Sequence, residues 1–245
     1  MFETLLSRIR NRYVINGLGG TLKKAIEIVW RTCHDAALNE YFQITSAGTF
    51  ILDGAHYHYF RHTYNRAFEN ERTVEVPIAL AMITRARGKR ILEIGNVLSH
   101  YQSGLDHDVL DKYEEAPGVI NEDVITYCPL HRYDIIVSVS TMEHVGWDED
   151  VKDPPRLLFG LRNLINYCLA PKGALLVTAP IGYNIYLDQW IRKGKLPFSK
   201  ILYLERISEH NTWRETSREK ALRTTYGGKF PNANAVMIGI YHANL

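Results

Sequence analysis

Residues 140–150 read STMEHVGWDED and follow an apolar run, YDIIVSVST, of the length shown by a strand buried on both faces. They gather Glu143, His144, Trp147, Asp148 and Glu149 into one short stretch. An imidazole can take a proton from a reacting hydroxyl or amine near neutral pH, and a carboxylate can orient it. His144 is therefore the candidate base, with Glu143 or Asp148 orienting it. A structural His–carboxylate pair capping the next helix would look the same in sequence.

A second constellation begins at RILEIGNVLSHYQSG, residues 90–104. Gly95 falls where a buried strand ends, and a glycine there lets the backbone turn tightly and approach a ligand. A dinucleotide loop has the pattern G-x-G-x-x-G, and only Gly95 is present, which argues against a bound pyrophosphate. Asn96 tolerates positive φ, and Ser99 suits the cap of a following helix. Glu93 points to the loop floor. Asp111 closes the next strand, where a carboxylate can accept both ribose hydroxyls of an adenosine. Asp123, with Val124 beside it, is placed to accept from an adenine amino group. Each acid also has a structural reading, as an ion-pair partner, a turn former or a half-exposed strand residue.

In HYHYFRH, residues 56–62, alternation puts His56 and His58 on one face of a strand. No carboxylate or cysteine completes a metal set nearby. His58 and Tyr59 are thus candidates for lining an acceptor pocket, against plain packing. Tyr183 and Asn184 follow the apolar segment GALLVTAPIG and are acceptor-contact candidates by position alone.

These residues need a scaffold. Composition sets the frame: 245 residues, 46% apolar and 23% charged, with 29 basic against 27 acidic side chains. That describes a globular α/β-sized chain, and the even charge balance gives no reason to expect a nucleic-acid partner. Three cysteines far apart, with no C-x-x-C pair, suggest a reducing compartment. Charges at Glu3, Arg8 and Arg10 interrupt any signal-peptide core, and no uncharged apolar run is long enough to span a membrane. The expected location is cytoplasmic.

Helical spacing at Leu6, Ile9 and Tyr13, and again from Leu22 to Ala37, predicts two amphipathic helices separated by NGLGG. Short strands broken by Gly48 and Gly54 follow, then a helix over NERTVEVPIALAMITRARGK with Pro77 in its first turn and Gly88 at its end. From Lys89 onward RILEIG, HDVLDKY, VINEDVITY, YDIIVSVST and GALLVTAPIG alternate with helical or turn segments. A helix is expected after RILEIG and another over PRLLFGLRNLINYCL. KILYLERI and NAVMIGIYHA suit a closing antiparallel pair. Alternation of this kind predicts a mostly parallel sheet.

Residues 75–185 resemble the class I S-adenosylmethionine-dependent methyltransferases. ILEIGN is similar to their first motif, VLDKYE to the acidic second strand, INEDVITY to the third-strand acid, YDIIVSVSTMEHV to the fourth strand with its active-site loop, and LAPKGALLVTAPIGYN to the fifth strand. The resemblance implies a Rossmann-like α/β fold. Its parts are a seven-stranded, mostly parallel sheet with an antiparallel C-terminal strand, helices on both faces, and an N-terminal helical and extended cap. It implies residues 1–70 as the cap and 71–245 as the α/β domain. It further implies S-adenosyl-L-methionine as cofactor, with Glu93, Gly95, Asn96, Asp111, Asp123 and Val124 around it and Arg72 holding its carboxylate. Methyl transfer to an oxygen or nitrogen of a small molecule or glycan follows, with the cap choosing the acceptor. The competing expectation is a non-catalytic module that binds an adenosine ligand, favoured by the single-glycine loop. The sequence carries no evidence of oligomeric state.

Overall fold

The computed structural model describes residues 24, 26–42, 44–45, 47–86 and 88–243. The chain separates into two compact units, residues 1–46 and 47–245. In the first, residues 26–42 form a helix, α1. It carries Ile26, Val29, Trp30 and Cys33 at helical spacing, and Trp30 stacks on His34 at 5.1 Å. The helix expected around Leu6 to Tyr13 and the NGLGG break lie outside the described residues.

The second unit opens with a hairpin, β1 (Thr49–Leu52) and β2 (Ala55–His58). Asp53 and Gly54 join them at φ 53° and 75°, the paired left-handed conformation that matches the twist of two adjoining strands. Phe50 and Leu52 point inward, while His56 and His58 share the outer, exposed face.

Helix α2 (Arg72–Arg85) follows. Pro77 sits in its second turn, not its first as the sequence suggests. A proline there leaves the carbonyl four residues earlier without its helical donor, and that carbonyl, on Thr73, accepts from the Phe60 amide at 2.8 Å. The Thr73 hydroxyl donates back to the Phe60 carbonyl at 2.8 Å. The segment after β2 is thus pinned to α2 by the bond that proline vacates.

The sheet comprises β3 (Ile91–Ile94), β4 (Asp108–Leu110), β5 (Val119–Ile120), β6 (Tyr133–Val139), β7 (Leu169–Pro180), β8 (Lys200–Arg206), β9 (Trp213–Glu215) and β10 (Ala235–His242). Its order is β5-β4-β3-β6-β7-β10-β8-β9. The first five strands are mutually parallel, and β10 runs antiparallel to both β7 and β8. Setting the short edge strand β9 aside, the order is 3-2-1-4-5-7-6. This is a Rossmann-like architecture, and the sheet has one strand more than the seven expected, β9, added at the edge.

Helices cover both faces. Val74, Val76, Ile78, Ala79 and Ile83 of α2 pack with Phe50, Leu52, Ile91, Val137 and Val139 on one side. On the other, α3 (Arg156–Asn163) and its continuation Leu164–Cys168 place Leu157, Leu161, Leu164 and Cys168 against Leu92, Ile94 and Ile136. A helix absent from the sequence reading, α4 (Ile185–Arg192), joins this second core through Leu187 and Ile191. A short α5 (Arg218–Ala221) adds Ala221. No helix among the described residues is long and apolar enough to cross a membrane.

Two expectations fail between β3 and β6. No helix follows β3: residues 95–107 contain one 3-10 turn, Leu98–His100. Ser99, Ser103 and Gly104 are weak helix formers, and Gly104 takes φ 75°. Ser99 lies inside the turn rather than capping it. The third strand also shrinks to Val119–Ile120, because Asp123 begins a turn in which its Oδ1 accepts from the Ile125 amide at 3.0 Å.

Candidate functional site

The strand order reverses between β3 and β6, and ligands in open α/β sheets settle beyond the carboxyl ends of the strands at such a point. A cavity of about 350 Å³ lies there. Ile94, Leu110, Val124 and Val145 give it apolar walls, and Asp111, Asp123, His144 and Asp148 supply polar groups. Gly95, Asp111, Asp123, Val124 and His144 of the sequence-predicted set all line it.

Gly95 turns the chain at φ 82°, and its amide donates to Leu110 O at 2.8 Å, tying the loop to the end of β4. Thr141 packs directly over it. Asn96 does not take positive φ. Its Nδ2 donates to Glu114 at 2.7 Å instead, which steadies the opposite lip of the loop.

Glu93 lies under this loop, fully buried. Its Oε1 accepts from the amides of Val97 and Leu98 at 3.0 and 2.8 Å, and its Oε2 meets His107 Nε2 at 2.9 Å. Glu93 therefore shapes the loop without lining the cavity. Burial pulls the His107 pKa down, but the Glu93 hydrogen bond and charge outweigh it, so the net shift is upward. A raised imidazole stabilises the fold fully below its unfolded value, roughly 6.5, and that contribution is lost as pH rises through the folded value. Wild-type stability in denaturant should fall across that window, and the fall should be absent in His107→Gln. Equal pH dependence in the two proteins would refute the pair's role.

Asp111 Oδ1 accepts from the amides of Tyr113 and Glu114, both at 2.8 Å, and Oδ2 faces the Asn96 amide at 3.4 Å. Asp123 Oδ2 pairs with Arg156 at 2.6 Å and with Lys112 at 3.1 Å. Burial opposes its charge, but the Ile125 amide and these two cations hold its pKa below the usual carboxylate range.

At the mouth, His144 Nδ1 is hydrogen-bonded to Asp148, whose Oδ2 also accepts the Tyr183 hydroxyl at 2.5 Å. The His144 and Tyr183 rings meet edge to face at 4.9 Å. Burial works against the Asp148 charge, yet Tyr183 and His144 hold its pKa low. Of the two acids expected to orient His144, Asp148 makes the bond. Glu143 Oε1 stands 3.7 Å from Nε2, and Glu143 is buried with neither carboxylate oxygen bonded among the described residues. Burial, with the charge of Glu75, pushes its carboxyl well above the usual range.

The remaining predicted residues do not line the cavity. Arg72 is buried beside β6, where Nη1 donates to Glu75 at 2.6 Å and Nη2 reaches Ser140 O at 3.5 Å. Burial opposes its charge, and Glu75, Glu71 and Glu143 keep it charged. Asn184 Oδ1 caps α4 by accepting from the Tyr186 and Leu187 amides, while its Nδ2 donates to Glu143 O at 2.8 Å. Tyr59 exchanges hydrogen bonds with the Trp213 backbone, and His58 faces outward. Beyond β2, Phe60 and His62 reach the loop after Gly95, each meeting the Tyr101 ring edge to face at 5.4 and 5.5 Å.

Sequence reasoning missed Thr141, Glu75 and Ser140. Ser140 takes φ 40° directly after β6 and donates its hydroxyl to Glu75 at 2.6 Å. Backbone strain of this kind collects at functional sites; the signal available in sequence was two hydroxyl residues closing an apolar strand.

No family model and no curated protein sequence matches the chain. Several solved structures are similar to it. The N-methyltransferase NodS from Bradyrhizobium japonicum, in complex with S-adenosyl-L-homocysteine, is 13% identical with a TM-score of 0.46, over 73% of this chain and 90% of its own. A SAM-dependent methyltransferase from Archaeoglobus fulgidus is 18% identical with a TM-score of 0.45, over 73% and 97%. A 1,6-didemethyltoxoflavin-N1-methyltransferase from Burkholderia thailandensis is 11% identical with a TM-score of 0.42, over 81% and 100%. The strand order and the cavity at its reversal point define this chain as a Rossmann-like α/β domain.

Proposed function

We propose that the protein binds S-adenosyl-L-methionine and transfers its methyl group to an oxygen or nitrogen of a small molecule or glycan. One observation carries this reading: the cavity at the β3–β6 reversal brings Gly95, Asp111, Asp123, Val124 and His144 onto one surface.

The lining suits an adenosine. Ile94, Leu110, Val124 and Val145 offer apolar faces to a base. A carboxylate has about four acceptor positions. Two amides fill Asp111 Oδ1 and a third faces Oδ2. Asp111 therefore has one position for a ribose hydroxyl, where the sequence suggested two. Asp123 keeps one on Oδ1 for an adenine amino group. When bound, S-adenosyl-L-methionine supplies an electrophilic methyl group. Gly95 lets the backbone approach the ligand. Asp148 fixes the His144 tautomer, leaving Nε2 to take the acceptor's proton. Arg72, neutralised by Glu75, is withdrawn from its expected carboxylate contact.

Asp111→Asn tests the reading, because an amide oxygen still accepts from Tyr113 and Glu114 while the charged Oδ2 is removed. A hydrogen bond to a charged group contributes about 1.5–3 kcal/mol, so affinity for S-adenosyl-L-homocysteine should fall roughly 10–150-fold. Calorimetry on the folded variant checks it, and unchanged affinity refutes the assignment. The second reading, an adenosine-binding module without turnover, draws on the missing helix after β3, which removes a helix N-terminus from the ligand's side of Gly95. Tight product-cofactor binding without methyl transfer to any acceptor would favour it.

A further inference from the structure

Arg206 ends β8 and is buried at 6% exposure. Its Nε donates to Ser208 O at 3.1 Å, Nη1 to Glu69 O and Pro231 O at 3.0 Å each, and Nη2 to Glu209 O at 3.1 Å. A guanidinium has five N–H donors. Among the described residues these four carbonyls are its hydrogen-bond acceptors, so one N–H on Nη2 is left over.

Arg206 lines a second cavity, of about 500 Å³, with Glu205, Arg214, Arg223, Thr225 and Lys229. Glu205 is the one carboxylate of the lining, set against four cations. It is shared already, lying 3.6 Å from Arg214 and accepting the Thr216 hydroxyl at 3.3 Å. Neither Arg223 nor Lys229 has a carboxylate partner among the described residues; the Lys229 ammonium lies 5.0 Å from the Phe230 ring centroid. Like charges gathered within a Debye length raise one another's energy, and a multivalent anion relieves that cost. The four carbonyls on Arg206 fix a cation in place, while Arg223 and Lys229 stand exposed at the rim.

The two cavities share no lining residue, but a chain of contacts links them. Thr225 precedes Tyr226, whose ring meets Tyr183 at 5.3 Å, and the Tyr183 hydroxyl binds Asp148. The backbone there is closely seated: a Cβ on Gly182 would stand 2.6 Å from the Tyr226 amide nitrogen. The charged cavity therefore lies on the His144 side of the molecule, where the acceptor belongs.

We propose that this cavity binds a phosphate monoester group and that the methyl acceptor carries it. A phosphate offers a dianion with several acceptor oxygens, which suits a fixed Arg with a spare N–H and an exposed Arg and Lys beside it. The second half of the proposal rests on the methyl-transfer reading; the first does not.

The test is an NMR titration of inorganic phosphate into the full chain saturated with S-adenosyl-L-homocysteine, with sodium acetate at equal ionic strength as control. Phosphate should give saturable shifts at the amides of residues 223–229 and none at residues 111–114. Arg223→Gln with Lys229→Gln should weaken that binding by about tenfold or more while leaving S-adenosyl-L-homocysteine affinity unchanged. Both side chains are exposed, so the folded state should survive. No saturation, an equal response to acetate, or shifts centred on Asp111 would each overturn the phosphate site. If the site holds but acceptor candidates show the same KM with and without a phosphate, the acceptor half fails. Failure of S-adenosyl-L-homocysteine to bind at all would tell against the methyl-transfer reading, while the phosphate response is read separately.

Discussion

Gly95→Ala should lower stability by roughly 2–4 kcal/mol and abolish measurable binding of S-adenosyl-L-homocysteine. Two independent costs combine. At φ 82° an L-residue strains its backbone by roughly 1–2 kcal/mol. The added Cβ would also stand 2.3 Å from Thr141 Oγ1 and 2.7 Å from its Cγ2. Thr141 has little freedom to withdraw, since its hydroxyl donates to Val139 O at 3.2 Å. Any relief moves the β3 or β6 loop, and both line the cavity. Gly54→Ala separates the costs, because Gly54 has φ 75° and open space around it; only the backbone cost should appear there. Thr141→Gly in the Gly95→Ala background should recover most of the steric part, because the Thr141 Cβ would itself stand 2.9 Å from the new one. Denaturant unfolding and calorimetry provide the measurements, and a Gly95→Ala protein within about 0.5 kcal/mol of wild type would contradict the account.

The sheet was legible in sequence because its strands are apolar runs between turn residues, a local property. Val109 and Leu110, Tyr133–Val139 and residues 173–180 of β7 fall within segments read as strands, while residues 169–172 of β7 lie in segments read as helix end and turn. The short strands on either side of Gly54 were legible for the same reason, though their pairing as a hairpin was not read. The misses come from segments whose local signals conflict. Helix α4 carries readable signals, an Asn cap at Asn184 and Leu187 with Ile191 four apart, but a run of aromatic and polar residues hides them. The helix expected after β3 fails although Val97, Leu98, Tyr101 and Leu105 have helical spacing, because Gly104 and two serines weaken it. In the structure Val97 and Leu105 pack on the α2 side of the sheet without forming a helix.

The site divides along the same line. Residue type and place at a strand end located Gly95, Asp111 and His144. Neither property tells which acid already has a partner. Glu93 is spent on two amides and His107, Asp123 on Arg156 and Lys112, and Arg72 on Glu75. Apart from Glu75, three residues from Arg72 on α2, the charged partners lie on other elements, so an orphan carboxylate such as Glu143 and a shared one such as Asp123 look alike in sequence.

His144→Gln should reduce turnover by about 10²–10⁴-fold, the usual contribution of a general base, with S-adenosyl-L-homocysteine affinity within about twofold of wild type. The geometry gives the imidazole a direction. Asp148, held ionised by Tyr183 and His144 against the cost of burial, accepts at Nδ1 and so places the ring proton there. Nε2 is then the basic atom. The Glu143 oxygen at 3.7 Å is too far to occupy it with a hydrogen bond. The His144 side chain is 45% exposed at the cavity mouth, within the reach of an acceptor entering from solvent. A base acts only when unprotonated, so wild-type turnover should fall as pH is lowered, and that limb should vanish in His144→Gln. Asp148→Asn should act through the ring's orientation: an intermediate loss of turnover with little change in cofactor affinity. Tyr183→Phe removes one of the two bonds that Asp148 accepts and should cost less than either. These profiles require saturating cofactor and an acceptor found by screening. If wild type and His144→Gln share one pH profile and similar turnover, His144 takes no proton. Catalysis would then rest on holding donor and acceptor in line, a contribution that Gly95 and Asp111 make without any base.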